Sequence, residues 1–257
     1  MITGFDHLIL LTADLDKAIA DYSALGFEVI QRQDKGKGPS ENRLIVFDDG
    51  SYLELLMLVE PDYKKAHRFF PLLEYGDGWA DYSLVCEDLA EEAAKLSVAG
   101  VPFKDPTSYS KTLEDGRPWV VNLLLTGWGV GSHCMPFVVS DGTPRELRVP
   151  NAVTTHGNGA TGIGSVALVT GDLQALEPGL GALLGAGAPV ASPDGAARSL
   201  RFGFGDRFLV VHEVAAGPSE MRTHLEARGE GLYSVQLTGG IGSLDAALMH
   251  GARMSFA

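Results

Sequence analysis

The sequence is short of cysteine, of positive charge and of long apolar runs, and each shortage removes a class of protein. Two cysteines in 257 residues, Cys86 and Cys134, are too few for a disulfide framework, and their spacing is not that of a CxxC pair. No apolar run approaches the ~20 residues that a membrane-spanning helix needs. Met1 leads into an apolar strand with no basic segment before it, so the expected location is the reducing cytoplasm. Lys and Arg number 20 against 33 Asp and Glu, a formal charge of −13, which disfavours nucleic acid and anionic membrane as partners. The runs Gly127-Trp128-Gly129-Val130-Gly131 and Gly239-Gly240-Ile241-Gly242 lack the strand–GxGxxG–helix context with its downstream acid, so nucleotide binding is not supported.

What remains is an ordinary globular composition, 45% hydrophobic and 21% charged. The most informative stretch runs from Glu41 to Leu55. Leu44 and Val46, then Leu53 and Leu55, are apolar at period 2, and Asp49-Gly50 between them signals a tight turn that joins two strands. Glu54 is the exception in this apolar pattern. A carboxylate costs several kcal/mol to bury unpaired, so Glu54 must face water or meet a cation or donor in a cavity. In the strand at 6–12, His7 is the matching exception, a titratable group leading into an apolar run. A His and a Glu converging from two strands on a concave sheet would form half of a metal site or part of a polar ligand pocket.

The chain then repeats itself. Asp14 is placed to cap a helix that Gly26 stops, and Asp88 caps one that Gly100 stops, at the same interval. Strands are expected at Phe27–Arg32, through the hairpin, at Val101–Phe103, at Trp119–Leu125 and at Ser132–Val139. The segment from Glu60 to Tyr75 reads as a helical or irregular connection carrying an aromatic patch. A third unit opens at Ser165, where Thr170 and Asp172 repeat Thr12 and Asp14, and a fourth opens at Tyr233 and is cut short. The expected class is α+β, with tandem β-α-β-β-β units at 1–59, 79–141 and 160–215 and a partial unit at 230–257, divided between domains 1–150 and 151–257.

Such units resemble the vicinal oxygen chelate superfamily of glyoxalases, extradiol dioxygenases and bleomycin-resistance proteins. The runs Asn42-Arg43-Leu44-Ile45, Asp49-Gly50-Ser51-Tyr52-Leu53-Glu54-Leu55 and Asn158-Gly159-Ala160-Thr161-Gly162-Ile163 are similar to its glyoxalase-like domain family. The resemblance implies curved, half-open mixed sheets around a cavity. It also implies one divalent metal held from the first and last strands of paired units. Carried over, His7 and Glu54 take those positions in unit one and Asp81 the first-strand position of unit two. The last falls on Val138 or Ser140, and His133 precedes that strand. In unit three the positions fall on Ser165 and roughly Val210, with His212 two residues on, and a pairing of units three and four, Ser165 with Ser234, looks metal-free.

Two readings follow. In one, His7, Glu54 and Asp81 hold Mn, Ni, Zn, Mg or Fe for lyase or isomerase chemistry, with Glu54 also able to act as a general base. In the other, a metal-free cavity binds or sequesters a small polar, oxygen-bearing molecule. An extradiol dioxygenase would require a second His at a strand position, and none is present. Asn42 and Arg43 are either rim contacts to substrate or a turn with a surface ion pair. Tyr52 shares a face with Glu54. His156 and Asn158 lie in a glycine-rich connection that could cover the cavity or simply turn the chain. The exposed edge left by the incomplete fourth unit predicts a homodimer.

Overall fold

The computed structural model describes residues 1–257. Its first sheet takes elements in chain order: β1 (Ile2–Leu11), α1 (Leu15–Ala24), β2 (Ser40–Val46), β3 (Tyr52–Leu58), α2 (Pro61–Ala66), β4 (Gly78–Cys86), α3 (Leu89–Val98), β5 (Thr107–Thr112), β6 (Pro118–Leu124) and β7 (Phe137–Asp141). β1 lies parallel to β3, with Ile9 opposite Glu54, and antiparallel to β4, with Ser83 opposite His7. β4 in turn lies parallel to β7. The order β2-β3-β1-β4-β7-β6-β5 therefore places unit two beside unit one, with β4 and β7 repeating β1 and β3. The hairpin between β2 and β3 turns at Gly50, whose φ of +81° suits a residue without a Cβ.

The sheet curls until its two ends meet. Asp34 bridges to Leu113, the Lys35 N–H donates to the Thr112 carbonyl at 2.7 Å, and the Glu114 N–H donates to the Gln33 carbonyl at 2.9 Å. The polar loop at 33–40 is thus the segment that closes a half-barrel.

Two expected strands take other forms, and the one expected at Ser132–Val139 begins only at Phe137, after a turn. Phe27–Arg32 contributes only the bridge of Ile30 to Leu44, because the Glu28 N–H is bound by the His156 ring. Val101–Phe103 forms no strand: Pro102 has no N–H to donate, and the position is filled instead by β5. The 60–75 connection is α2 followed by a 3-10 segment at Phe70–Tyr75.

The second sheet follows the same plan with β8 (Gly162–Thr170), α4 (Leu173–Leu184), β9 (Ala188–Pro189), β10 (Ala196–Phe204), β11 (Arg207–Val214), α5 (Glu220–Arg228), β12 (Gly231–Thr238) and β13 (Met254–Phe256), in the order β13-β12-β8-β11-β10-β9. Asp14, Asp88 and Asp172 each accept backbone N–H groups at the start of α1, α3 and α4, which is the physical content of the repeated Asp. α5 has no counterpart in the expected units; Ser219 caps it.

Period-2 alternation sends Leu8, Leu10, Leu53 and Leu55 to the side opposite Ile9 and Leu56. The first group joins Leu168, Phe202, Leu237 and the apolar faces of α1 and α4 in one core of 41 buried residues. The second lines the inside of the curl. No helix is long and apolar enough to cross a membrane.

Candidate active site

The curled sheet encloses a cavity of about 270 Å³, a little below the usual range for small-molecule sites. His7, Tyr52 and Glu54 project into it from β1 and β3. The His7 ring stacks on Tyr52, with centroids 4.6 Å apart and planes at 11°, and meets Phe137 edge-on at 5.3 Å. Its Nδ1 lies 2.6 Å from Asp6 Oδ2 and its Nε2 3.4 Å from Glu54 Oε2. Glu54 Oε1 accepts from Asn42 Nδ2 at 2.5 Å. A neutral imidazole that donates from Nδ1 to Asp6 would turn the Nε2 lone pair toward a carboxylate. The 3.4 Å Nε2–Oε2 contact is attractive when the imidazole is protonated and sets lone pair against carboxylate when it is neutral.

Asp6 is fully buried behind this pair. Arg148 grips it with both terminal nitrogens, at 3.0 and 2.9 Å, and Arg145 also pairs with it. Burial pushes the Asp6 carboxyl up, but the Arg148 charge and the bonds from His7 and Arg148 hold it well below the usual carboxylate range. Arg148 also donates to Asp141 and to the Tyr52 hydroxyl, so one guanidinium from the turn after β7 orients both His7 and the ring beneath it.

A second wall comes from β5, β6 and the closing loop. Trp119 Nε1 donates to Asp34 at 2.8 Å, and Arg32 pairs with the same carboxylate at 2.9 Å while its guanidinium lies 4.3 Å from the Trp119 ring centre. Lys111 approaches Asp34 at 3.3 Å. The connection after α2 supplies His67, Arg68 and Phe69. Arg68 lies over Phe69 at 4.2 Å and Phe137 at 5.0 Å and forms an ion pair with buried Asp81. His67 Nδ1 accepts the Phe69 N–H at 3.2 Å. Burial, aided by Arg68, lowers the His67 pKa to about 4, so the ring is neutral near pH 7 with its Nε2–H free to donate.

Of the residues singled out in the sequence, His7, Asn42, Tyr52 and Glu54 share the cavity. The others stand elsewhere. Arg43 points to the opposite face of β2 from Asn42 and donates to the Asn42 carbonyl at 2.7 Å. His156 is a buried cross-brace: Nδ1 accepts the Glu28 N–H at 3.0 Å and Nε2 faces the Val46 carbonyl at 3.1 Å. Asn158 ties the end of α1 to its own turn, donating to Leu25 O and accepting from Ala160 N. Neither residue covers the cavity, because their polar atoms are already bonded to backbone. Arg148, Arg32, His67 and Arg68 line the cavity and Asp6 stands buried behind it, and strand patterning singled out none of them. Asp6 stood beside His7, and its charge ahead of an apolar run was the available signal.

The donor set does not fit the three-ligand metal site expected from His7, Glu54 and Asp81. Both Asp81 oxygens are taken, one by Arg68 and one by the Tyr82 N–H, and burial raises its pKa, opposed by Arg68. The remaining position is also apolar. Ile9 pairs with Glu54 across β1–β3, and the equivalent Ser83 pairs with Phe137 across β4–β7, so Phe137 stands where Val138 or Ser140 was expected. No group of three or more His, Cys, Asp or Glu side chains in the chain is placed to hold a metal ion.

A fold of paired units curled around one cavity, with a His and a Glu facing each other from the first and last strands of unit one, is that of the vicinal oxygen chelate superfamily. The chain belongs to the glyoxalase-like domain family, whose model matches residues 5–184. Among solved structures it is similar to a hypothetical protein from Staphylococcus aureus, with a TM-score of 0.71 at 14% identity over 98% of this chain and 99% of that one. A 4-hydroxymandelate synthase mutant from Streptomyces coelicolor aligns with a TM-score of 0.61 at 15% identity, over 93% of this chain and 72% of that one. A fusion of a xylose isomerase-like TIM barrel with 4-hydroxyphenylpyruvate dioxygenase aligns at 0.55 and 18% identity, over 93% and 37%. These identities speak to fold alone. Among functionally curated proteins, none matches the sequence significantly.

Proposed function

We propose that the protein is an isomerase- or lyase-type enzyme that moves a proton on a small carbonyl compound with an apolar or aromatic body. One observation carries the reading: His7, fixed through Nδ1 by buried Asp6, presents Nε2 to Glu54 at 3.4 Å inside a small, aromatic-walled cavity. In this reading Glu54 takes a proton from carbon next to the carbonyl while protonated His7 donates a hydrogen bond to the oxygen that becomes an enolate. Glu54 then returns the proton, either to the adjacent carbon or to a leaving group, so charge and protons balance within the pair. Asn42 holds Glu54 in place from the side. Tyr52 and Phe137 support the imidazole plane.

The test is hydrogen–deuterium exchange in heavy water, followed by proton NMR, across a panel of aryl and alkyl carbonyl compounds including 1,2-dicarbonyls. The wild type should exchange the C–H next to the carbonyl of at least one compound, and Glu54→Gln should lose that activity by ~10²-fold or more. Exchange that survives in Glu54→Gln, or binding without any exchange, would overturn it. The second outcome favours the rival reading of a binding or sequestering protein, which the apolar and aromatic walls of Phe69, Trp119 and Phe137 support.

A further inference from the structure

The second sheet encloses a groove of its own, about 440 Å³, that the first site does not use. Its lining has a simple order. Phe208 of β11 pairs with Ser165 of β8, Ser165 with Gln236 of β12, and Gln236 with Ser255 of β13, so these four residues form one rank across the sheet. Arg201 of β10 lays its guanidinium over Phe208, 3.9 Å from the ring centre. Ser165 Oγ donates to Gln236 Oε1 at 3.1 Å, which leaves the Gln236 amide nitrogen to donate elsewhere. No Asp or Glu lines the groove. In a chain of net charge −13 it is an island of donors with one cation and no acid.

His212 marks the far end, four residues along β11 from Phe208 and thus ~13 Å away. Ser199 donates its hydroxyl to Ser192 at 3.1 Å and meets His212 Nδ1 at 2.8 Å. The Ser199 hydroxyl thus anchors the His212 ring through Nδ1. The positions that hold His7 and Glu54 in the first sheet are Ser165 and Val210 here, so the groove has no acid–base pair.

We propose that this groove is a second small-molecule site, one that binds an organic anion without reacting with it. The carboxylate or phosphate head sits on Arg201, Gln236 and Ser255, and the body runs over Phe208 and Val210 toward His212. The flat Arg201 guanidinium, stacked on Phe208, favours a planar body.

Isothermal titration calorimetry with inorganic phosphate, benzoate and phenyl phosphate tests this. At least one probe should bind saturably, and Arg201→Gln should weaken it at least about tenfold. Gln236→Leu should weaken it by a smaller factor, and Arg198→Gln, which removes a neighbouring exposed charge, should leave it unchanged. Comparing benzoate with phenyl phosphate identifies the head group. No saturable binding by any of the three, or equal weakening by Arg201→Gln and Arg198→Gln, would overturn the proposal. Arg201 is exposed, so an unchanged melting temperature of its unliganded variant separates a lost site from a lost fold.

Discussion

The Arg148 guanidinium holds the Asp6 carboxylate with both terminal nitrogens, at 3.0 and 2.9 Å, across 142 positions of sequence. Asp6 is fully buried and bonds His7, so this fork fixes the imidazole from behind. Arg148→Met leaves a buried carboxylate with only Arg145 and His7 to answer it. The expected loss is about 3 kcal/mol of stability, the lower end for a broken buried pair because Arg145 remains. Urea denaturation measures it. Arg148→Lys should recover part of the stability but not the two-pronged geometry.

Acid should destabilise the protein in two separate windows. His67 in the folded chain titrates at about 4 against an ordinary value of 6.5, so between those values the unfolded chain binds the extra proton and stability falls as pH falls. Its contribution levels off below 4. Asp6 is the opposite type of group with the same outcome: its depressed pKa gives stability that is complete above the ordinary carboxylate range and is lost progressively as pH falls from that range through the lower folded value. Urea midpoints measured from pH 7 to 3 should show both slopes, and His67→Gln should reduce the upper one without abolishing it, because burial also holds His224 at about 4 and lowers His133, His156 and His212.

Trp119 should report on ligand entry. It lines the cavity and is held between Asp34 and Arg32, whereas Trp79 and Trp128 stand outside the lining. A ligand that enters the cavity should change tryptophan emission in the wild type and leave it unchanged in Trp119→Phe, while calorimetry still detects binding in that variant. An emission change that persists in Trp119→Phe would move the ligand elsewhere.

His156→Ala should behave as a structural lesion. It removes the brace between Glu28 and Val46 and the edge contacts with Phe27 and Phe47, at a cost of about 2 kcal/mol. Ligand affinity in the cavity should not change. A variant with normal melting but weakened binding would return His156 to the site.

The units were legible because they rest on local chemistry: Asp at each helix start, Gly at each stop, and period-2 strands that must hide one face. His7 and Glu54 were legible for the same reason, as polar exceptions in apolar strands. Arg148 and Arg68 were not, since an arginine in a turn or a connection carries no periodic signal, and only the fold brings it against Asp6 or Asp81. Asp81 is the instructive case. Its strand position matched that of His7, but sequence does not reveal that a cation 13 positions earlier in the chain occupies it. His156 and Asn158 misled in the other direction, because a polar residue in a glycine-rich turn looks free until its backbone partners are known.

Arrays of repeats commonly unfold one unit at a time, since each touches only its neighbours. This chain has given up that freedom, because Leu8 and Leu53 of the first sheet share a core with Leu168, Phe202 and Leu237 of the second. Heat should therefore produce one cooperative transition. A molecule bound in either cavity would protect both halves from melting, and a lesion severe enough to unfold one half would empty both.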